Sequence, residues 1–157
     1  VLKCKKSELI SKVVSLTEDI KSLEKELKEI KSQMALSSLD SFIAEKKEID
    51  GISFIAKKVE FENQNDLRDL IDKLRDKLGT SVIVFANVYQ EKLTFTVGVS
   101  KDLNARKINA GNIVKEVAKL VGGNGGGRPD IASAGGKDLS KVDFALENAE
   151  EILKAQF

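Results

Sequence analysis

A glycine-rich stretch that contains one arginine carries the residue types best suited to ligand binding in this 157-residue chain. It runs from Gly122 to Gly136, holds seven of the eleven glycines and includes Pro129, the only proline. Consecutive backbone N–H groups in a glycine loop can form an anion-binding nest, and the planar guanidinium of Arg128 suits phosphate. The pattern predicts a contact with phosphate or nucleic acid. The candidate binding residues of the stretch are Gly122, Gly123, Asn124, Gly125, Gly126, Gly127 and Arg128.

The same glycines also have a structural interpretation, as a tight helix-to-strand connection packed under a neighbouring segment. The spacing of Gly122 and Gly127 matches a Walker loop, but Arg128-Pro129 follows in place of the lysine and hydroxyl that such a loop needs. The glycines also follow a predicted helix, at its partly negative end, so a bound anion would need additional cations. The sequence therefore argues against ATP hydrolysis and leaves the binding and structural interpretations open.

Basic residues concentrate around this stretch. Residues 101–141 hold eight basic and four acidic residues, a local net charge of +4, whereas the whole chain carries +1. A basic face suits a phosphate backbone, and an ordinary mixed surface is the alternative. Tyr89 is the one aromatic expected to be exposed for stacking, so the sequence favours backbone and shape recognition over base reading. The basic candidates besides Arg128 are Lys101, Arg106, Lys107, Lys115, Lys119 and Lys137.

Missing residue types exclude several kinds of site. The chain has no histidine and a single cysteine, Cys4, which excludes zinc sites of the Cys/His kind and Ser-His-Asp triads. No cluster of Asp and Glu stands out as a metal site, so we predict neither catalytic residues nor metal ligands. The sequence contains no apolar run of about 18 residues, so it predicts no membrane span. Because residue 1 is Val rather than Met, we expect a processed product or a fragment of a longer protein.

Residues 7 to about 50 predict an antiparallel helical hairpin that forms a coiled-coil-like arm. Apolar residues recur at alternating spacings of four and three, which is a heptad seam. The pattern falters at residues 35–38. A second helix from Leu39 to about Glu48 is expected to fold back, so that Leu39, Phe42 and Ile43 meet the seam. The arm is interpreted either as a spacer or as a dimerisation surface. The seam residues are Leu9, Val13, Leu16, Ile20, Leu23, Leu27, Ile30 and Met34.

Residues 51–157 predict one globular α+β domain with a mixed sheet packed by helices, so the chain divides into an arm of residues 1–50 and this domain. Strands are expected at 52–60, at 82–88 as a central strand, at 93–99 and at 130–134. The second and third of these should form an antiparallel hairpin. Helices are expected from Asn65 to Gly79, from about Asn109 to Val121, and from near Asp138 or Ser140, where Ser140-x-x-Asp143 resembles a capping box.

The run from Gly122 to Asp138 resembles the signature of the C-terminal domain of alanyl-tRNA synthetase, a form of the DHH-associated domain. The segments Val97–Leu103 and Ala110–Val117 are similar to that family as well, and so is the order of helical arm and globular domain. The resemblance covers essentially the whole chain. Asn124 interrupts what is usually an unbroken glycine run, and Ile131 and Ser133 replace more usual residues, which puts single contacts in doubt.

The resemblance implies a non-catalytic, cytoplasmic module that binds the elbow of tRNA, expected to be tRNA(Ala), and helps aminoacylation and editing act on one tRNA. It implies no cofactor in this fragment, since ATP, Mg²⁺ and a zinc site belong to other domains of the parent ligase. The arm would be a tether to those domains and, in some members, a homodimer contact. Alternatives are an interaction module that acts through the arm, or the substrate-binding domain of a DHH-type phosphoesterase.

Overall fold

The structure is a computed structural model that describes the backbone of residues 9–157 and the side chains of residues 12–23 and 39–157. The chain forms two compact units that divide between Ser38 and Leu39. The division into residues 1–50 and 51–157 stays a prediction. No helix among the described residues is long and apolar enough to cross a membrane.

One unbroken helix, α1, runs from Leu9 to Ala44. The predicted hairpin is therefore wrong, because the chain does not turn at residues 35–38. Serine lowers helix stability by less than about 0.7 kcal/mol relative to alanine, so Ser37 and Ser38 do not end a helix that contains neither glycine nor proline. The apolar residues Leu39 and Phe42, which were expected to cover the seam, are buried in the core of the second unit instead.

A six-stranded mixed sheet forms the centre of the second unit, and its strands are β1 (Lys47–Ile49), β2 (Ile52–Val59), β3 (Ser81–Tyr89), β4 (Lys92–Val99), β5 (Asn124–Gly127) and β6 (Ile131–Gly136). They lie in the order β1-β2-β3-β4-β6-β5. The pair β2–β3 is parallel, and the other four pairs are antiparallel. The predicted β3–β4 hairpin is confirmed, and Gln90 and Glu91 form its turn with φ of 46° and 60°, as two-residue hairpin turns require.

Four helices follow α1, namely α2 (Gln64–Leu78), α3 (Lys101–Asn104), α4 (Ala110–Leu120) and α5 (Val142–Lys154). Asn109 caps α4 as the sequence indicates, because its Oδ1 accepts the N–H of Asn112 at 2.8 Å. The cap of α2 is Asn63 rather than Asn65. The predicted capping box before α5 is also wrong, since Asp138 accepts both the N–H and the hydroxyl of Ser140 in a 3-10 turn that precedes the helix.

Each face of the sheet carries its own apolar core. Helices α4 and α5 cover one face, where Val82, Val84 and Phe95 are buried. Helix α2 and the last turns of α1 cover the other face, where Ile83 and Phe85 are buried. Alternate residues of β3 enter opposite cores because strand side chains alternate in direction, which explains the continuous apolar run from Val82 to Ala86.

An ion-pair cluster joins the edge strand β1 to helix α5. Glu150 accepts hydrogen bonds from Lys154 Nζ at 2.8 Å and from Lys47 Nζ at 2.9 Å. These two ammonium groups, Lys154 first, favour the ionised carboxylate and lower the pKa of Glu150 from 4.5 to about 2.

Acid titration tests this cluster. Because the pKa of Glu150 is lower in the folded state than its ordinary value, its stabilising contribution is present above about pH 4.5 and is lost as the pH falls towards 2. The variant Glu150→Gln should therefore lose less stability than the parent protein between pH 5 and 2, measured by urea unfolding at each pH. Glu151→Gln, with the same charge change one residue along, is the control. Equal acid slopes for the parent and both variants would contradict the assignment.

Candidate nucleic-acid interface

The first glycine of the stretch ends helix α4. Gly122 lies in the left-handed region, with φ of 64°. Its N–H donates to the Lys119 carbonyl at 3.1 Å, and the N–H of Gly123 donates to the Ala118 carbonyl at 2.8 Å. This pair of bonds is the Schellman motif, in which glycine is favoured because it adopts positive φ without steric cost. The first glycine of the run therefore has a structural role.

The next residues form an edge strand rather than an anion-binding nest. Strand β5 pairs with β6 from Asn124 opposite Gly135 to Gly127 opposite Ala132. A nest requires successive N–H groups in alternating right- and left-handed conformations, which a paired strand does not provide. The N–H of Gly125 donates to Asn124 Oδ1 at 2.8 Å. The prediction of a nest is thus corrected, because strand pairing sets the backbone of this segment.

Close packing explains alternate glycines of β5. A Cβ on Gly125 would lie 2.3 Å from Ala134 Cα, and one on Gly127 would lie 2.7 Å from Ala132 Cα. A Cβ on Gly123, just before the strand, would lie 1.9 Å from the carbonyl oxygen of Gly135. No side chain fits at these distances, so the structural interpretation applies to these three positions.

Gly126 and Gly135 are different, because nothing in the described structure requires glycine there. A Cβ on either residue would meet no atom within 4 Å, and neither residue has a positive φ. Strand alternation places both on the face of the β5–β6 pair that also carries Ser133. Both glycines are exposed, and Ser133 is partly buried. We call these three residues the bare strand surface, since a ligand could approach the backbone there without meeting a long side chain.

Four of the predicted basic residues lie around the turn between β5 and β6. The turn is fastened to α4 by Ala110, whose N–H donates to the Pro129 carbonyl at 2.8 Å, and to β4 by Val99, whose N–H donates to the Asp130 carbonyl at 2.9 Å. The Asn104 side-chain amide, oriented to satisfy its neighbours, donates to the same Pro129 carbonyl at 3.2 Å. These bonds place the α3–α4 segment beside the turn. The turn group consists of Lys101, Arg106, Lys107 and Arg128, all exposed.

The other predicted basic residues lie on α4 and at its C-terminal end. The N–H groups of Lys137 and Asp138 both donate to the Val121 carbonyl at 3.1 Å, which brings Lys137 to the end of α4 that carries Lys119. Lys119 pairs with Glu116 at 2.6 Å. Because α4 is 11 residues long, its two ends are about 16 Å apart. The predicted basic residues therefore form two groups, and the α4 group consists of Lys115, Lys119 and Lys137.

The outer side of α5 has the opposite charge. Exposed or partly exposed acidic residues line this helix, against a single lysine, Lys154. Phe144, with 53% of its surface exposed, was missed by the sequence analysis, and Tyr89 is partly buried. The helical period marks Phe144 as outward-facing, since Val142, Ala145 and Ala149 are the buried positions. The acidic residues of α5 are Asp143, Glu147, Glu150 and Glu151.

A small cavity lies at the far edge of the sheet from the glycine strand. It has a volume of about 170 Å³ and lies between β1–β2 and α5, lined by Phe54, Leu146 and Glu147 among others. None of the predicted binding residues lines it. Among the described residues, no group of three or more His, Cys, Asp or Glu side chains is placed to hold a metal ion.

The arm exposes the apolar seam where its side chains are described. Val13, Leu16, Ile20 and Leu23 are between 44% and 63% exposed. The remaining seam residues lie in α1, but their side chains fall outside the described set. These are Leu9, Leu27, Ile30 and Met34.

Comparison with known proteins identifies the family. The sequence pattern of the DHHA1 domain matches residues 51–155. The chain belongs to the DHHA1 domain family. This DHHA1 chain is 48% identical over 155 residues to the alanine–tRNA ligase of Clostridioides difficile strain 630, which covers 99% of the chain and 18% of the ligase. The chain thus spans about a fifth of the length of the curated relatives it matches.

Solved structures agree with this family. The C-Ala domain of Aquifex aeolicus alanyl-tRNA synthetase is 33% identical with a TM-score of 0.63, and the match covers 69% of this chain and 97% of that domain. A DHH-domain protein described as a member of the s1p family of ribosomal proteins has a TM-score of 0.57 at 21% identity, covering 86% of this chain and 33% of that one. The second similarity shows the shared fold alone.

Alanine substitutions at neighbouring glycines should have opposite consequences for stability. Gly125→Ala inserts a methyl group against the Ala134 backbone and should destabilise the protein by about 1–3 kcal/mol or more. Gly126→Ala should be neutral or stabilising by up to about 1 kcal/mol, because alanine restricts the unfolded chain more than glycine does. Urea unfolding measures both. Equal destabilisation by the two variants would show that the bare strand surface is itself packed.

Proposed function

We propose that this DHHA1 chain is the tRNA-binding module of an alanyl-tRNA synthetase. It contacts the elbow of the tRNA, expected to be tRNA(Ala), and helps aminoacylation and editing act on the same tRNA. The similarity to the C-Ala domain and to alanine–tRNA ligases supports this proposal. Catalysis and its cofactors, ATP, Mg²⁺ and zinc, belong to the domains that make up the rest of such a ligase.

The bare strand surface is the observation that carries the proposal. Gly126 and Gly135 lack side chains although the fold has room for them, and close approach of another molecule's backbone is a reason for glycine that internal packing does not supply. A sugar–phosphate backbone could contact the exposed edge strand at this point. Asn124 and Ser133 are the polar side chains nearest to these glycines in the strand register.

Electrostatics favours the same edge of the sheet, at strand β5. The turn group lies at one end of α4 and the α4 group at the other, so two clusters of cations flank strand β5 and its turn. The acidic side chains of α5 would repel phosphates, which restricts the orientations in which RNA can bind. Since most of these contacts would be to phosphate rather than to base edges, the module should recognise backbone and shape, leaving tRNA identity to other domains.

Salt-dependent binding of tRNA tests the proposal. The affinity of the chain for tRNA should fall steeply with salt, and Arg128→Ala should weaken binding and reduce the slope of log affinity against log salt by about 0.9. Lys58→Ala, a matched loss of an exposed lysine on β2, which three strands separate from β5, should leave both unchanged. Gly126→Ala should weaken binding while the protein stays folded. A short single-stranded RNA should bind more weakly than tRNA.

Two outcomes would contradict the proposal. The first is equal tRNA affinity for the parent protein, Arg128→Ala and Lys58→Ala. The second is undetectable binding of any RNA at low salt by a chain that unfolds cooperatively.

Dimerisation through the arm is a second candidate function, favoured by the exposed seam. Ile20 and Leu23 are 55% and 63% exposed, and seam residues of a heptad repeat are normally buried against a partner helix. A second copy of α1 would supply such a partner.

Sedimentation tests this second candidate. We expect the parent protein to form a dimer that Ile20→Asp disrupts, because a charge in a coiled-coil seam is buried without a partner. Val14→Asp is the matched control, since Val14 is 50% exposed but lies off the seam. A parent protein that stays monomeric at high concentration, or equal effects of the two variants, would contradict dimerisation through the arm.

A further inference from the structure

Lys107 occupies a backbone position that favours glycine. Its φ is 66°, in the left-handed region that side chains rarely adopt. Its N–H donates to the Asn104 carbonyl at 3.1 Å, and the N–H of Ile108 donates to the Leu103 carbonyl at 3.2 Å. These are the two bonds of a Schellman motif, so Lys107 has in α3 the role that Gly122, with φ of 64°, has in α4. The C-terminal end of α4 therefore carries glycine at this position, whereas the C-terminal end of α3 carries lysine.

The other non-glycine residues with positive φ are explained by the hairpins that contain them. Asp50 lies in the β1–β2 turn, and Gln90 and Glu91 form the β3–β4 turn. Lys107 lies in no hairpin. The residue after it, Ile108, is fully buried, which fixes the segment and keeps Lys107 in its left-handed conformation.

Within the part of the chain that the structure describes, no side-chain hydrogen bond accounts for lysine at position 107. The side chain is exposed, and no salt bridge joins its ammonium to an acidic side chain among the described residues. The same segment carries Arg106 and is fastened, through Asn104, to the Pro129 carbonyl next to Arg128. Lys107 thus adds an unpaired positive charge to the turn group.

We propose that Lys107 contacts an RNA phosphate, and that its charge rather than its backbone fit accounts for lysine at this position. The inference rests on the proposed RNA-binding function and adds to it that one residue of the turn group is present at a cost to folding stability. Lysine rather than asparagine or glycine at a left-handed position is the mark of that cost.

The variant Lys107→Gly tests this inference because it should move stability and affinity in opposite directions. Removing the strained side chain should raise Tm by about 3 °C, while losing one phosphate contact should lower tRNA affinity about five- to eightfold at 0.1 M salt and reduce the salt slope by about 0.7–0.9. Gln90→Gly relieves the same backbone conformation in the β3–β4 turn and should raise Tm without changing affinity. Lys107→Asn, which also tolerates positive φ, should behave as Lys107→Gly does.

The outcomes separate this inference from the proposal it rests on. If the parent protein binds tRNA and Lys107→Gly binds it equally well with the same salt slope, the inference fails and the proposed function stands. If Lys107→Gly lowers Tm, the claim that the backbone favours glycine at this position is overturned. Absence of tRNA binding by the folded parent protein would overturn the proposed function itself.

Discussion

The close pairing of β5 with β6 is the constraint on which the candidate interface depends. The two strands approach so closely that a methyl group at Gly125 would overlap the Ala134 backbone, and this excludes side chains from the inward positions of the edge strand. The outward position, Gly126, is free of that constraint. Strand alternation thus divides a single glycine run into residues that the fold requires and residues that leave the backbone open to a ligand. The structural interpretation concerns the inward glycines of the run, and the binding interpretation concerns the outward one.

The same pairing positions the charged residues. Gly122 ends α4 and directs the chain into β5, and the turn after β5 is bonded back to the start of α4. As a result, α4 lies alongside the glycine strand and the basic groups lie at its two ends. Helix α5 packs on the same face of the sheet but carries an acidic outer side. Charge is therefore separated across the surface of the unit, and such a separation would orient an approaching polyanion more than it would add to total affinity.

Elements with strong local patterns were predictable from the sequence, and those formed by tertiary contacts were not. The apolar run from Val82 to Val88 and the capped helix after Asn109 were placed correctly, because burial and capping act within a few residues. Strand β5 was missed since glycine has little intrinsic preference for strands, and only its pairing with β6 makes it one. The helical hairpin was predicted from a pause in the heptad pattern, whereas Leu39 and Phe42 depart from the seam because they pack against the sheet.

The candidate site was predictable as a set of residues but not as an arrangement. A basic segment beside a glycine run indicated phosphate binding. The division of the basic residues into two groups depends on hydrogen bonds between residues distant in sequence. One such bond runs from the Lys137 N–H to the Val121 carbonyl. The distinction between Gly125 and Gly126 also needs three-dimensional packing, because both are glycines of one run. The strain at Lys107 has no sequence signal, since nothing in the residue type indicates a left-handed backbone.

Amide chemical shifts recorded while tRNA is added would test the central claim most directly, because they report contacts along the whole backbone at once. If the bare strand surface and its flanking cations form the interface, the amides of Gly126, Gly135 and Arg128 should shift, together with those near Lys119. The amides of Glu147 and Glu151 on α5 should stay in place. The largest shifts on α5, with the glycine strand unchanged, would contradict the account and place the RNA on the other side of the molecule.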